Sequence, residues 1–182
     1  MEEESLDGNI QHVNNPVLDL PQIEKKYLRS VVSYSKELNS YIFSDGKARV
    51  EVKIFTDEII RIRLAPQGVF LDDFSYAVVD IEEHANAHHL SEDEQAYFIT
   101  TSSVVCTVSK KDFLVSFGDK EGKVLNSDHS PMHWEENPDF GGYYVYCTKQ
   151  AFDDEVFFGG GDKASNLNLR GRRIQNWNSD TY

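Results

Sequence analysis

The residues whose types and spacing could do chemistry gather near the end of the 182-residue chain. Phe157-Phe158-Gly159-Gly160-Gly161-Asp162-Lys163 is followed by Asn168-Leu169-Arg170-Gly171 and then by Asn176-Trp177-Asn178-Ser179-Asp180-Thr181-Tyr182. A carboxylate accepts two hydroxyl hydrogen bonds at once and an indole offers an apolar face, so Asp180 and Trp177 suit a hydroxyl-bearing ring. The same residues have a structural use, with Trp177 filling a core gap while Asn176, Asn178 and Asp180 satisfy the amides of a long loop. Arg170 and Arg172 suit the pinning of a loop to carbonyls or carboxylates, with direct ligand contact as the alternative.

Other groupings point to less. The glycine run lacks the Gly-Lys-Ser/Thr ending of a phosphate loop, so it reads as a strand-end turn needing positive φ or close packing. His84, His88 and His89, and separately His129 and His133, lie in stretches without an evident strand or helix to fix ligand geometry. They read as solvated loop histidines rather than a zinc site. The aromatics from Tyr143 to Tyr146, with Phe152, Phe157 and Phe158, read as interface or core, with a carbohydrate platform as the alternative.

These residues need a scaffold, and the pattern upstream is that of strands. In Ala48 to Phe55, Val50, Val52 and Ile54 alternate with Arg49, Glu51 and Lys53, the period of a half-buried strand. Tyr41-Ile42-Phe43 precedes it across Asp45-Gly46-Lys47, and Ile60 to Leu64 follows across Thr56-Asp57-Glu58, which makes an antiparallel meander. Further strands are predicted at Tyr97 to Thr100, Val104 to Val108, Phe113 to Phe117 and Lys123 to Leu125. Aromatic strands at Tyr143 to Tyr146 and Val156 to Phe158 are expected to be buried against a second layer. Glu82 to Gln95 and Asn126 to Gly142 read as loops. Short strands with turn chemistry between them indicate an all-β, antiparallel β-sandwich with long loops and an irregular C-terminal segment.

The run Phe157 to Lys163, the Arg170-Gly171 pair and Trp177-Asn178-Ser179-Asp180-Thr181-Tyr182, in this order, resemble glycoside hydrolase family 31, the α-glucosidase family. One departure is Gly161-Asp162-Lys163, where many members have Gly-x-Gly-Glu. Residues 1–26, polar and acidic with Pro16 and Pro21, read as a flexible leader, and the resemblance implies a galactose-mutarotase-like sandwich over 27–158. It also implies a loop, 159–182, that reaches the active site of a (β/α)8 catalytic barrel in the same parent chain. It places Asp180, Trp177, Asn178 and, as a further candidate, Arg170 on the substrate, with Asp180 in a plus subsite. The implied reaction is retaining hydrolysis of α-glucosidic bonds, or transglycosylation by the same double displacement, with no metal or organic cofactor, for which two carboxylates stand about 5 Å apart. The family places both on barrel strands beyond this sequence, so no catalytic residue is named and the fragment is expected to be inactive alone. The implied partners are an α-glucoside or oligosaccharide and the barrel. The rivals are a stand-alone carbohydrate-binding sandwich and a small, self-contained mutarotase-like enzyme.

Composition agrees with one core and sets limits on partners. The chain is 40% hydrophobic, enough apolar material for a single sizeable domain. A net charge of −13 repels phosphate backbones and anionic lipid, so neither nucleic acid nor membrane is an expected partner. Met1-Glu2-Glu3-Glu4-Ser5 has no signal-peptide character. The expected compartment is the cytoplasm if Met1 is the native start, and the periplasm or exterior if a signal peptide was removed. Cys106 and Cys147 are expected to be buried free thiols, with a single disulfide as the alternative.

Overall fold

The computed structural model describes residues 23–72, 87–160 and 167–174. Every regular element among them is a strand, and all the pairings are antiparallel. The chain-order strands β2 (Ser33–Lys36), β3 (Ser40–Ser44), β4 (Arg49–Ile54) and β5 (Ile60–Ala65) form a four-stranded meander. The larger sheet runs β1 (Lys26–Tyr27), β10 (Val124–Glu136), β9 (Val115–Asp119), β8 (Val104–Ser109), β7 (Ala96–Thr100) and β6 (His89–Glu92), with β11 (Tyr143–Lys149) also paired to β10.

Alternation decides which side chains meet between the sheets. Val50 stands opposite Phe43 and Leu64, and Val52 opposite Tyr41 and Ile62, so one face of β3, β4 and β5 is apolar. It packs on Ile99, Cys106, Val108, Val115, Met132 and Trp134 of the larger sheet to form one core. Each fully buried side chain of this size contributes about 1.5–3 kcal/mol. The β3–β4 turn depends on Asp45, whose carboxylate accepts from the backbone of Lys47 and Ala48 and, farther off, of Arg29. Gly46 between them has φ +98°, which a side chain would strain.

The two predicted loops contain strands. Most of Asn126 to Gly142 belongs to β10, in which Asp128, Met132 and Trp134 point inward and are buried. The polar residues hid the alternation, and Pro131 is accommodated where the pairing with β11 shifts register between Ser130 and His133. The buried Asp128 carboxylate is satisfied by Val115 N at 2.8 Å and Lys149 Nζ at 2.6 Å. Within Glu82 to Gln95, β6 pairs with β7 across a turn closed by Asp93. Its carboxylate accepts from the amides of Gln95 and Ala96, and these bonds hold it below the usual carboxylate range.

Two expectations of burial fail at the C-terminal end. β11 is exposed along nearly its whole length, and Val156 to Phe158 form no strand. The four-stranded sheet does not cover β11, and among the described residues only β10 pairs with it. Cys106 is buried as expected, Cys147 on β11 is exposed, and both are free thiols. Phe113, expected to open a strand, instead sits at φ +52° in the turn before β9, with its ring in the core.

Candidate functional site

After β11 the chain makes two turns that grip each other. In the first, Glu155 N donates to Phe152 O at 3.2 Å, and the Glu155 carboxylate accepts from Phe152 N at 2.8 Å. In the second, Arg172 N donates to Leu169 O at 2.9 Å, with Gly171 at φ +74°, the position where a type II turn favours glycine. Asn168 Oδ1 accepts from Phe157 N, just beyond the first turn, at 3.2 Å and from Arg170 N, within the second, at 3.0 Å. Leu169 N donates to Phe157 O at 2.8 Å, and the Leu169 side chain is buried.

Arg170 completes the grip. Its Nη1 donates to the carbonyls of both Phe152 and Glu155, each at 2.7 Å. The two N–H groups of Nη1 thus go to backbone oxygens of the neighbouring turn, a loop-pinning contact. Trp177, Asn178 and Asp180 lie outside the described residues, as does Gly161 of the glycine run. Gly159 and Gly160 have φ +110° and +83°. A Cβ on Gly160 would stand 3.5 Å from the Ile174 side chain, so the returning segment packs against this turn. Neither Asn168 nor Glu155 was singled out from sequence. The available signal was an Asx residue two positions before an Arg-Gly turn.

A second feature lies on the outer face of β1, β10 and β11. Tyr27, His133 and Tyr146 are cross-strand neighbours, with ring centroids 4.8 and 4.6 Å apart and interplanar angles of 26° and 8°. Those spacings match the distance between strands, so the rings stand upright in a row and show their edges outward. Such a row offers no broad flat platform for a sugar. The Tyr146 hydroxyl donates to Glu135, and this bond raises the phenol pKa. His129, the other histidine of this stretch, has its Nδ1 3.1 Å from Gln150 Oε1. Both histidines thus lie on a regular strand, contrary to the loop reading. Among the described residues no three His, Cys, Asp or Glu side chains are placed to hold a metal ion. His84 lies outside the described residues.

Apolar side chains stay uncovered from β11 to residue 167. Val145 is 49% exposed, Phe158 62% and Leu167 82%, with Tyr144, Phe152, Val156 and Phe157 exposed between them. Exposed apolar side chains in such number mark an interaction surface.

Comparison with known proteins draws these features together. A family model described as the glycosyl hydrolase 31 N-terminal galactose mutarotase-like domain matches residues 49–182. The chain is 26% identical over 151 residues to α-glucosidase 2 of Bacillus thermoamyloliquefaciens, covering 82% of this chain and 18% of that protein. It is similar, at TM-score 0.71 and 26% identity, to a dextranase of Flavobacterium johnsoniae seen in complex with isomaltotriose, over 86% of this chain and 19% of that one. An α-xylosidase of Xanthomonas citri is similar at TM-score 0.67 and 26% identity, over 75% and 16% of the two chains. The chain thus spans about a fifth of the length of these relatives.

Proposed function

Because the chain belongs to the family of glycoside hydrolase 31 N-terminal galactose mutarotase-like domains, we propose that it shapes the aglycone side of a site cleaving α-glucosidic bonds in a larger α-glucosidase-like enzyme. The observation that carries this reading is the family match extending to residue 182, which takes in Trp177, Asn178 and Asp180. In this reading Asp180 accepts hydroxyls of the sugar beyond the scissile bond, while Trp177 and Asn178 form the wall beside it. The cleaving carboxylates belong to the (β/α)8 barrel of the same parent chain and act by retaining double displacement, so this chain alone hydrolyses nothing. The exposed apolar side chains of β11, Phe152, Val156 to Phe158 and Leu167 support a barrel packed against this part of the domain.

The test compares the full-length enzyme with this chain on α-glucosides and α-xylosides. The expected result is turnover of α-glucosides with retention of anomeric configuration by the full enzyme, and none by this chain. In the full enzyme, Asp180→Ala should raise KM for an α-glucose trisaccharide about tenfold or more, the scale of one lost charge-assisted hydrogen bond. Inversion of configuration, preference for α-xylosides or an unchanged KM would each remove the corresponding part of the reading. The stand-alone binding module gains no support from the upright Tyr27–His133–Tyr146 row.

A further inference from the structure

Resting on the reading that Trp177 to Asp180 meet the substrate, we propose that Arg170 and Asn168 form a positioning clasp that sets where this motif begins and thereby tunes substrate affinity. Neither is assigned a contact with sugar. Arg170 ties the turn at residues 152–155 to the turn at residues 168–172 through one nitrogen and two carbonyls. Asn168 Oδ1 accepts from Arg170 N inside the second turn and from Phe157 N, two residues beyond the first. Three side-chain hydrogen bonds and the bond from Leu169 N to Phe157 O join residues 152–157 to residues 168–170 and leave the second turn little freedom to slide on that stretch.

The placement gives the clasp its consequence. Arg170 precedes Trp177 by seven residues, and Ile174, still nearer, packs on the Gly160 turn. The chain therefore leaves a fixed point on the sandwich as it enters the motif. A displaced starting point would shift where the chain enters the motif, and misplacement of about 1 Å is enough to cost up to about a hundredfold in a positioned site. The surrounding core does not depend on the clasp, because Arg170, Asn168 and both turns lie outside the main core cluster. Its loss should act on substrate affinity more than on stability.

The experiment uses the full-length enzyme carrying Asn168→Ala, Arg170→Ala, Arg170→Lys and the Asn168→Ala/Arg170→Ala pair, with Asp180→Ala alongside. KM and kcat are measured on an α-glucose trisaccharide, and the thermal midpoint is read for each variant. Both alanine variants should raise KM about 5- to 20-fold with kcat within about twofold, Arg170→Lys should fall between, and the pair should be no worse than either single change. If Arg170→Ala accumulates only as insoluble protein, Asn168→Ala and Arg170→Lys carry the test. A raised KM for Arg170→Ala with none for Asn168→Ala would mean direct contact by the guanidinium and would overturn the clasp. Lowered midpoints with unchanged KM in both would reduce it to a structural brace and overturn it too. If Asp180→Ala raises KM while neither clasp residue does, the clasp alone fails. If Asp180→Ala also leaves KM unchanged, the underlying reading fails with it.

Discussion

Lys149 Nζ lies 2.6 Å from the carboxylate of Asp128, whose side chain is only 1% exposed. The pair joins β11 to β10, and the second carboxylate oxygen holds Val115 N on β9. One buried acid thus ties three strands.

Removing the cation should cost more than a surface ion pair does, because it leaves a buried negative charge with one fewer donor. Lys149 is itself about a third exposed, so water screens part of the loss. Lys149→Ala is expected to lower unfolding stability by about 2 kcal/mol and Lys149→Arg by less than about 1 kcal/mol, measured by urea denaturation of this chain. A loss within about 0.5 kcal/mol for Lys149→Ala would show that the pair is worth no more than an exposed one.

Tyr41 presents the opposite case. Its hydroxyl is buried, with no hydrogen-bond partner among the described residues, while its ring is fully enclosed in the core. A buried unsatisfied hydroxyl costs about 1–3 kcal/mol. Tyr41→Phe keeps the ring and deletes the oxygen, so stability should rise by about 1 kcal/mol in the same denaturation experiment. A loss of comparable size would mean that the hydroxyl is bonded in solution, for which an enclosed water is the chemistry at hand.

How much of this was legible in the sequence depended on whether burial alternates with charge. The β3–β4–β5 meander was readable because Arg49, Glu51 and Lys53 stand between Val50, Val52 and Ile54. β10 was not, because Asp128 occupies an inward position and Pro131 interrupts the period; only the contacts with Val115 and Lys149 show why an acid can sit there. β11 misled in the other direction. Tyr143-Tyr144-Val145-Tyr146 has the composition of a buried strand, and an apolar surface awaiting a partner cannot be told from a core surface by composition. At the C-terminal site, the family resemblance rested on residue types in order. The grip of Arg170 on Phe152 and Glu155 needed coordinates, since backbone carbonyls leave no mark in a sequence.

The two thiols should behave differently. Burial pushes the Cys106 thiol up to about 12, while Cys147 is exposed and its thiol is raised, first by partial burial and then by Asp128. A thiol reagent at pH 8 should modify Cys147 in the folded chain and reach Cys106 only on unfolding, as read by mass spectrometry. In the unfolded chain Cys106 ionises near 9.0, so above that pH the unfolded state binds fewer protons than the folded one. The stabilising contribution is complete below about pH 9 and is lost as pH rises toward 12, at no more than about 1.4 kcal/mol per pH unit. Cys106→Ala should flatten the decline between pH 9 and pH 10.5, and an unchanged slope would remove the cysteine as its cause.

The uncovered run from β11 onward should make this chain self-associate when separated from the rest of its parent. Val145, Val156 and Phe158 are exposed and lie outside the core cluster, so replacing them with Thr, Thr and Ser removes apolar surface without opening a cavity. Stability should change by less than about 0.5 kcal/mol per site, while binding of a hydrophobic dye and the oligomer fraction in sedimentation velocity should both fall. If the proposed barrel docks here, the same three changes in the full-length protein should weaken its hold on the sandwich, seen as faster proteolysis between the two. If the triple variant instead leaves association and dye binding as they were, the exposed run is not the sticky surface. A barrel docked on β11 would then lose its main support.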